Sequence, residues 1–373
     1  MGIHYGHGKT VNRGLVFAYD TGEIYNSYLG EPTDNLISLA GKDSEIERSG
    51  TSYPYFSANI TSLVHERWSS SNGIITMSFE GKRDYVQGGT GGGNDGYPRM
   101  YVYFTDWSWS RSFGTGAYDW TYTSSTGAMP DPTNKSIYFA IYHMNSGNPG
   151  RSYSRKHQVE FKNRDTRFVN GSRTNTDSLL DLTGNGTIDL SNVNSFDDQG
   201  IIFDGTDDKM VMGTNPAWNF GTTDFTVEIV FNMEYNTTYT HFLTFGDQYT
   251  FSLKMNRNNL SPNNYRIYAY AGTNGPSTGD AIPANAILDQ YNHLIFLKRG
   301  DTVSMYLDGV HQGDMTGWAA ANVDGSANTM SIGNGWASEY SKGEQPVTRL
   351  YSRALTEAEI KQNFNHYKSR FGI

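Results

Sequence analysis

Cysteine is absent from this chain of 373 residues. A disulfide scaffold, a thiol nucleophile and a Cys-ligated zinc or iron–sulfur site are therefore excluded. Basic residues are outnumbered, with 29 Lys and Arg against 38 Asp and Glu, which gives a formal net charge of −9. Because a nucleic-acid partner requires a basic surface, this balance argues against nucleic-acid binding.

Long apolar runs are absent as well. No stretch approaches the roughly 20 apolar residues that span a bilayer, so we expect no membrane insertion. The opening MGIHYGHGKT contains no apolar signal-peptide region, and we expect no secretion signal there.

Aromatic residues and glycine are abundant, with 26 Tyr, 19 Phe, 7 Trp and 41 Gly. Many short segments alternate apolar or aromatic residues with polar ones, and clusters of Gly, Asn, Ser, Asp and Pro separate them. These segments are 15–20, 74–80, 100–106, 137–143, 225–233, 265–271, 294–299, 303–307 and 347–352. The pattern predicts an all-β fold built from sandwiches. In 225–231 the alternation predicts a strand with one face against a core.

One helix is predicted, close to the C-terminus. Thr356 and Glu359 have the spacing of a capping box, and Leu355 and Ile360 that of a hydrophobic staple. The apolar positions that follow recur at helical spacing, so this short helix presents one apolar stripe to a sheet.

Six segments resemble parts of concanavalin A-like (laminin G-like) sandwiches. Residues 14–20 (GLVFAYD) resemble the opening strand, and 202–211 (IFDGTDDKMV) with 225–230 also resemble that family. Residues 292–298 and 303–309 look like its late hairpin, while 349–360 (RLYSRALTEAEI) is similar to its closing strand and helix.

Most of the chain resembles a group of tailed-bacteriophage virion proteins that carry this domain. In those proteins a stretch like 26–33 (NSYLGEPT) leads into an inserted jelly roll similar to carbohydrate-binding modules. The resemblance implies an N-terminal arm at 1–13, a discontinuous sandwich made of 14–34 and 172–373, and an inserted jelly roll at 35–171. The expected fold is thus two β-sandwich or jelly-roll domains, one inserted in the other, with 15–20 pairing with 347–353.

No catalytic residues are predicted. Concanavalin-like glycosidases use two carboxylates about 5–5.5 Å apart, and no Glu-x-Asp or Glu-x-Glu pair lies in an apolar strand segment. Asp224 and Glu228 are four positions apart, too far for that chemistry. There is also no Gly-x-Ser-x-Gly nucleophile elbow. We therefore expect a protein that is not an enzyme.

Aromatic clusters are the predicted glycan-binding residues. Sugar rings stack their C–H faces on aromatic planes, and one stretch is crowded with suitable side chains: Trp107, Trp109, Tyr118 and Trp120. On a strand, Trp107 and Trp109 would share a face. Trp336 and Tyr340, in a Gly-rich loop, are further candidates. The alternative is that these rings pack the core of the inserted jelly roll.

Asp204, Asp207 and Asp208 form the candidate metal site. Carboxylate oxygens suit calcium, and laminin G-like domains often hold calcium on their rim. The alternative is that this segment is a turn, which requires no ion. No cofactor is required by the predicted function, and calcium is the cofactor considered.

These observations favour a structural protein exposed on a phage virion, associated with the tail or fibres or decorating the head. Its predicted role is weak, multivalent adhesion to host-surface glycans. The expected partners are other virion proteins, host glycans and further copies of the chain, with assembly in the host cytoplasm. The alternatives are a decoration or bracing protein without glycan binding and, less favoured, a polysaccharide depolymerase.

Overall fold

The computed structural model describes residues 9–37, 46–49, 56–68, 73–83, 97–144, 151–197, 200–234, 239–246, 250–257, 265–271, 281–284, 288–335 and 339–373. The chain divides into two compact units. The first comprises Met1–Gly30 and Asn175–Ile373, and the second comprises Glu31–Thr174. Strands dominate both units, so the prediction of an all-β fold is confirmed.

The elements up to residue 173 are β1 (Leu15–Asp20), β2 (Thr33–Asp34), β3 (Ile46–Ser49), β4 (Phe56–Asn59), α1 (Thr61–Trp68), β5 (Ile74–Arg83), β6 (Tyr97–Phe104), β7 (Ser110–Gly114), β8 (Thr121–Ala128), β9 (Ile137–Met144), β10 (Arg151–Glu160) and β11 (Ser172–Arg173).

The elements that follow are β12 (Ile188–Asn192), β13 (Ser195–Asp197), β14 (Gly200–Asp204), β15 (Lys209–Met212), a 3-10 turn (Pro216–Trp218), β16 (Asn219–Gly221), β17 (Phe225–Met233), β18 (Thr240–Phe245), β19 (Phe251–Arg257), β20 (Tyr265–Ala271), β21 (Ala281–Ala284), β22 (Asn292–Arg299), β23 (Thr302–Leu307), β24 (Val310–Met315), β25 (Val323–Asp324), β26 (Met330–Ile332), β27 (Lys342–Tyr351) and α2 (Glu357–Phe371).

The first unit is a sandwich of two antiparallel sheets. The eight-stranded sheet has the order β13-β14-β27-β17-β22-β23-β24, with β1 paired to β27, and the seven-stranded sheet has the order β12-β15-β26-β18-β19-β20-β21. Leu15 lies opposite Tyr351 and Asp20 opposite Val347. The predicted pairing of residues 15–20 with the closing strand is therefore confirmed.

Aromatic side chains fill the space between these sheets. Trp218 and Trp318 are fully buried in this core. Phe225, on the eight-stranded sheet, packs against Phe251 of the seven-stranded sheet with ring centroids 5.7 Å apart. Large aromatic rings thus supply much of the apolar burial in a chain with a modest hydrophobic share.

Strand β17 has one face against a core, as predicted, and its other face is buried as well. Phe225, Val227, Ile229 and Phe231 belong to the core between the sheets. The opposite face is covered by α2, where Val230 packs with Tyr367. The alternation of apolar and polar residues in the sequence identifies only the inner face, because the outer face contacts α2 through polar as well as apolar side chains.

A buried polar network joins this outer face to α2. Glu228 accepts hydrogen bonds from His293 Nε2 at 2.9 Å, from the Tyr351 hydroxyl at 2.9 Å and from Asn363 Nδ2 at 2.8 Å. Arg349 Nε lies 3.7 Å from the same carboxylate. Burial acts to raise the pKa of Glu228, but these hydrogen bonds and charges hold that pKa below its ordinary value. The negative charge of Glu228 is therefore buried, and the surrounding hydrogen bonds and the Arg349 guanidinium offset the cost of burying it.

Helix α2 begins as the sequence predicts. The Thr356 side chain accepts a hydrogen bond from the Glu359 backbone N–H, and the Glu359 side chain accepts one from the Thr356 backbone, so the capping box is complete. Leu355 and Ile360 are buried in one cluster, as the staple requires. The helix ends at Gly372, whose φ of 72° is the left-handed conformation that glycine favours.

The second unit is a smaller sandwich of two four-stranded sheets, β3-β10-β5-β8 and β4-β9-β6-β7. It has a core of its own between them, to which Met77, Phe79, Val102 and Phe139 contribute. Strands β2 and β11 form a separate two-stranded ribbon. Each sheet has an outward face as well as a core face, and the candidate site lies on these outward faces.

Helix α1 in this unit was not predicted. It buries Val64 alone among its eight residues, so its sequence carries no apolar stripe. Among the described residues, no helix has the length and apolar character needed to cross a membrane.

Candidate functional site

Tyrosines line the outward face of the β4-β9-β6-β7 sheet. Tyr101 and Tyr103 of β6 alternate with buried residues, so they point away from the core. Tyr138 and Tyr142 lie on the neighbouring strand β9, and the rings of Tyr101 and Tyr142 are 4.7 Å apart. Burial and the neighbouring Tyr103 raise the pKa of Tyr142 to about 12. We call these four residues together with Trp107 the tyrosine face.

Trp107 lies on the turn between β6 and β7. Its side chain is 58% exposed, yet its ring stacks on Tyr103 with centroids 4.5 Å apart and planes only 9° from parallel. Its backbone φ is 57°, a left-handed conformation that bulky residues rarely adopt. Asp106 fixes this turn by accepting hydrogen bonds from the Ser108 backbone N–H at 3.0 Å and the Ser108 hydroxyl at 2.7 Å. The turn therefore holds an exposed indole ring in a defined position.

Trp109 differs from Trp107, and the expectation that the two share a strand face is wrong. Trp107 is in the turn, so strand alternation does not relate the two residues. Trp109 packs against the core of the second unit, with its ring 5.3 Å from that of Phe104. For Trp109, the core interpretation fits the structure.

A second aromatic row lies on the outward face of the β3-β10-β5-β8 sheet. Tyr118, Trp120 and Tyr122 occupy alternate positions leading into β8, and Tyr122 lies opposite Glu80 of β5. Tyr118 is 48% exposed and Tyr122 46% exposed. The Tyr122 hydroxyl donates a hydrogen bond to Asp165 at 2.7 Å. Burial of its ring, together with this carboxylate, raises the pKa of Tyr122.

Cationic side chains lie over two of these rings. The Arg155 guanidinium is 4.0 Å from the centroid of Trp120, and the Lys82 ammonium is 4.9 Å from it. The Arg83 guanidinium lies 4.5 Å from the centroid of Tyr118. Each of these distances is within cation–π range. We call these five residues the cation–aromatic face.

A β-bulge in β10 adds a further cation beside this face. The pairing of β10 with β5 shifts register between Arg155 and Gln158, and Lys156 has a φ of 52°. As a result both Arg155 and Lys156 contact Glu80, at 2.6 Å and 2.7 Å. Burial acts to raise the pKa of Glu80, but its bonds to the two cations hold that pKa below its ordinary value.

The remaining aromatic candidates lie elsewhere. Trp336 is outside the described residues. Tyr340 is half-buried in the first unit, where it forms an isolated β-bridge with Asn334. The structure thus groups Trp107 with tyrosines that the sequence analysis did not select, and Tyr118 and Trp120 with cations that it did not consider.

The three candidate metal ligands do come together. One carboxylate oxygen from each of Asp204, Asp207 and Asp208 lies within 4.8 Å of the others. Several of these oxygens already accept backbone hydrogen bonds: Asp208 from Asn194 at 2.9 Å and from Asp204 at 3.0 Å, and Asp204 from Thr206 at 2.7 Å. Burial raises the pKa of Asp208. These bonds fit the turn interpretation, and the oxygen donor set also fits calcium, so the calcium site stays a prediction.

A Ser–His–Glu chain lies on the seven-stranded sheet of the first unit. Ser252 Oγ is 3.2 Å from His241 Nδ1, and His241 Nε2 is 2.7 Å from Glu339. The Lys254 ammonium is 3.7 Å from Glu339 and 3.8 Å from the ring centroid of Tyr239. Ser252 and His241 are fully buried, so a substrate cannot reach this hydroxyl in the observed structure. The prediction that the chain is not an enzyme stays a prediction.

A cavity of about 580 Å³ lies in the first unit between β1 and α2. Its lining includes Asn12, Asp20 and Arg349. Arg349 donates hydrogen bonds to Val11 and Asn12, each at 2.9 Å, and Arg370 binds Asp20 at 2.5 Å. These polar groups are thus already bonded to other residues of the first unit.

Several solved structures are similar to parts of this chain. A Trypanosoma rangeli sialidase has 17% identity and a TM-score of 0.40, with 52% of this chain and 31% of that chain covered. Domain 4 of AbnA, a GH43 extracellular arabinanase from Geobacillus stearothermophilus solved with arabinotriose, has 19% identity and a TM-score of 0.38, with 49% and 91% covered. A SAP-like pentraxin from Limulus polyphemus has 17% identity and a TM-score of 0.35, with 43% and 78% covered. The match thus spans less than a third of the sialidase.

The sequence comparisons locate a family domain in the first unit. No curated protein sequence matches the chain. The model of the family described as the Concanavalin A-like lectin/glucanases superfamily matches residues 204–361. This segment runs from the end of β14 into α2 and includes most strands of both sheets. Residues 204–361 are therefore similar to a concanavalin A-like (laminin G-like) domain, and they supply most of the sandwich of the first unit.

Proposed function

We propose that this chain is a virion protein of a tailed bacteriophage that binds host-surface glycans without catalysis. The tyrosine face of the second unit is the proposed binding surface, and Trp107 is its principal contact. The virion assignment is supported by the sequence resemblance described above, and it includes assembly in the host cytoplasm beside other virion proteins. The glycan-binding part is supported by the geometry of the tyrosine face.

Trp107 is the observation that carries the proposal. An indole that is 58% exposed gains little from burial, and its left-handed backbone costs free energy. Stacking on Tyr103 fixes the ring but leaves much of it in solvent. A residue that folding does not favour, held rigidly on the surface, is typical of a recognition contact.

The surroundings of Trp107 suit a sugar. A pyranose can stack its C–H face on the indole, while polar groups nearby bind the hydroxyls. Lys135 Nζ lies 2.6 Å from Asp106, so an ammonium and a carboxylate stand beside the ring. The half-buried hydroxyl-bearing rings of Tyr103 and Tyr138 extend the surface along the sheet. Such a shallow, open site favours weak binding that becomes useful when many copies act together.

Substitution of Trp107 by glycine tests the glycan site. Glycine suits a φ of 57° and removes the ring, so we expect unchanged or slightly higher stability together with loss of glycan binding. Binding is measured on a glycan array and then by titration with the best ligand, and affinity should fall at least tenfold. The matched control is Tyr25→Ala, which removes another exposed ring, 82% exposed, from the first unit.

Two results would overturn the proposal. If W107G binds the array ligands as the parent does, the tyrosine face is not the glycan site. If the parent binds no glycan but W107G weakens its attachment to other virion proteins, the face is a protein interface and the decoration alternative holds. Immunogold labelling of purified particles tests the virion assignment separately, because gold on tail, fibres or head supports it and unlabelled particles contradict it.

A further inference from the structure

The cation–aromatic face carries positive charge on a protein whose formal net charge is −9. Lys82, Arg83 and Arg155 belong to it, and Lys156 stands beside them. Glu80 is the carboxylate between them, in contact with Arg155 and Lys156. Among the described side chains of the face and those in contact with it, cations therefore outnumber carboxylates, whereas acidic residues are in excess in the chain as a whole. Among the described side chains, exposed Asp119, next to Tyr118 in sequence, and Asp165, which binds Tyr122, border the face. Glu47 of β3 lies opposite Tyr153 in the same sheet.

Lys82 is the most informative of these cations. Its ammonium lies 4.9 Å from the ring centroid of Trp120 and 4.6 Å from that of Tyr153. Within the described part of the chain, no carboxylate pairs with it. Within the described residues, its charge is thus held in place by aromatic rings without a carboxylate partner.

The role that we assign to Trp120 differs from that of Trp107. Cations from β5 and β10 already lie over its ring, so a neutral sugar could stack there only by displacing them. The ring instead fixes Arg155 and Lys82 in position. Cations fixed in advance bind an anion at a lower cost in side-chain entropy.

The backbone of β10 supports the same interpretation. Lys156 adopts a left-handed φ of 52° at the bulge, which costs free energy for a residue other than glycine. Bulges frequently redirect side chains next to functional sites. Here the bulge brings two consecutive cations to the same carboxylate, and a regular strand would send them to opposite faces.

We infer that the cation–aromatic face binds an anionic saccharide, a sugar carrying a carboxylate or sulfate group, at Lys82 and Arg155. The Arg155 guanidinium supplies the planar fork that matches such groups, and the Lys82 ammonium supplies a point charge. The polar side chains of the same sheet, such as Ser124, provide hydrogen-bonding groups for hydroxyls. This surface is separate from the tyrosine face, since it lies on the other sheet of the second unit.

The test compares polysaccharides that share a sugar backbone and differ in charge. The full chain is titrated with polygalacturonate and with its fully methyl-esterified form, in which each carboxylate is replaced by a neutral ester. We expect the acid form to bind at least tenfold more tightly and its affinity to fall as salt increases. Equal binding of the two forms overturns the inference.

Variants locate the binding. Lys82→Gln combined with Arg155→Gln should reduce polygalacturonate binding at least tenfold, and Arg155→Lys, which keeps the charge, should retain part of it. The matched control is Lys361→Gln combined with Lys368→Gln, which makes the same charge change at two exposed positions of α2. If the double variant is less stable but binds polygalacturonate as the parent does, the cations are a packing element and the inference is wrong. If the double variant does not fold, Lys82→Gln alone decides, and unchanged binding then overturns the inference.

Three further probes separate the remaining possibilities. Tighter binding of dextran sulfate than of polygalacturonate, lost in the double variant, supports the site and assigns it to sulfated sugars. Polyglutamate that binds as tightly as polygalacturonate shows a site for any polyanion and overturns the saccharide assignment. W107G should keep its binding of polygalacturonate, so a failure of the proposed function and a failure of this inference give different results.

Discussion

Glu228 and Trp107 each occupy a position that costs free energy, and they differ in how far the fold offsets that cost. Glu228 is a fully buried carboxylate, but each of its oxygens accepts at least one hydrogen bond and a guanidinium lies nearby. Trp107 is an exposed indole in a backbone conformation that favours glycine. The first residue is compensated within the fold, whereas the stacking of the second on Tyr103 leaves much of its ring in solvent. This difference is the reason that we assign Glu228 to stability and Trp107 to recognition.

Replacing Glu228 by glutamine tests the first assignment. The amide keeps the shape but cannot accept hydrogen bonds from His293, Tyr351 and Asn363 together, and Arg349 loses its buried counter-charge. We expect the free energy of unfolding to fall by about 3 kcal/mol, measured by urea denaturation. The control is Glu234→Gln, which removes an exposed ion pair with Lys342 and should change stability by less than about 1 kcal/mol. Equal effects in the two variants would show that the network contributes little.

Among the elements, α2 depends on the ion pair at its first turn. Arg353 contacts both oxygens of Glu359, at 2.8 Å and 2.7 Å. This bidentate contact lowers the pKa of Glu359 from 4.5 to about 2. A carboxylate with a lowered folded-state pKa stabilises the protein above pH 4.5 and loses that contribution as the pH falls towards 2.

Glu359→Gln should therefore have a pH-dependent effect. We expect it to reduce the free energy of unfolding by about 0.5–1 kcal/mol at pH 7. The difference from the parent should shrink between pH 4.5 and 2, as followed by urea denaturation across that range. Glu357→Gln, the same charge change in the same turn, is the control. A difference that does not vary with pH would contradict the ion-pair explanation.

The same elements show how far sequence reasoning extends. Strands β1, β17 and β20 and the start of α2 follow from alternation and capping, because these signals are local. The tyrosine face also has a sequence signal, because Tyr101 and Tyr103 occupy alternate positions in β6. Tyr138 of β9 lies opposite Tyr103. The sequence could not show which tryptophan of the pair at 107 and 109 is exposed, because this depends on where the turn falls. The sequence also could not predict that Arg155 lies over Trp120, because β10 comes near β8 only through the pairing of both strands with β5.

At the scale of the whole molecule, the two units have separate cores. Each core is a sandwich interior of its own, so each unit can lose its structure in its own cooperative transition. We expect two transitions in differential scanning calorimetry. E228Q should lower the midpoint of one of them, while a core substitution in the second unit, such as Phe79→Ala, should lower the other. One transition that moves as a whole in both variants would contradict this expectation.

The pairing of β1 with β27 has a consequence for synthesis on the ribosome. The Tyr19 hydroxyl binds the backbone of Gln345, 326 positions further along the chain. The nascent chain therefore carries β1 without its partner strand until nearly all of the first unit has been made. The second unit, Glu31–Thr174, is complete much earlier and can fold during translation. Completion of the eight-stranded sheet thus has to await synthesis of β27, and we expect this long-range closure to be the slow step of folding.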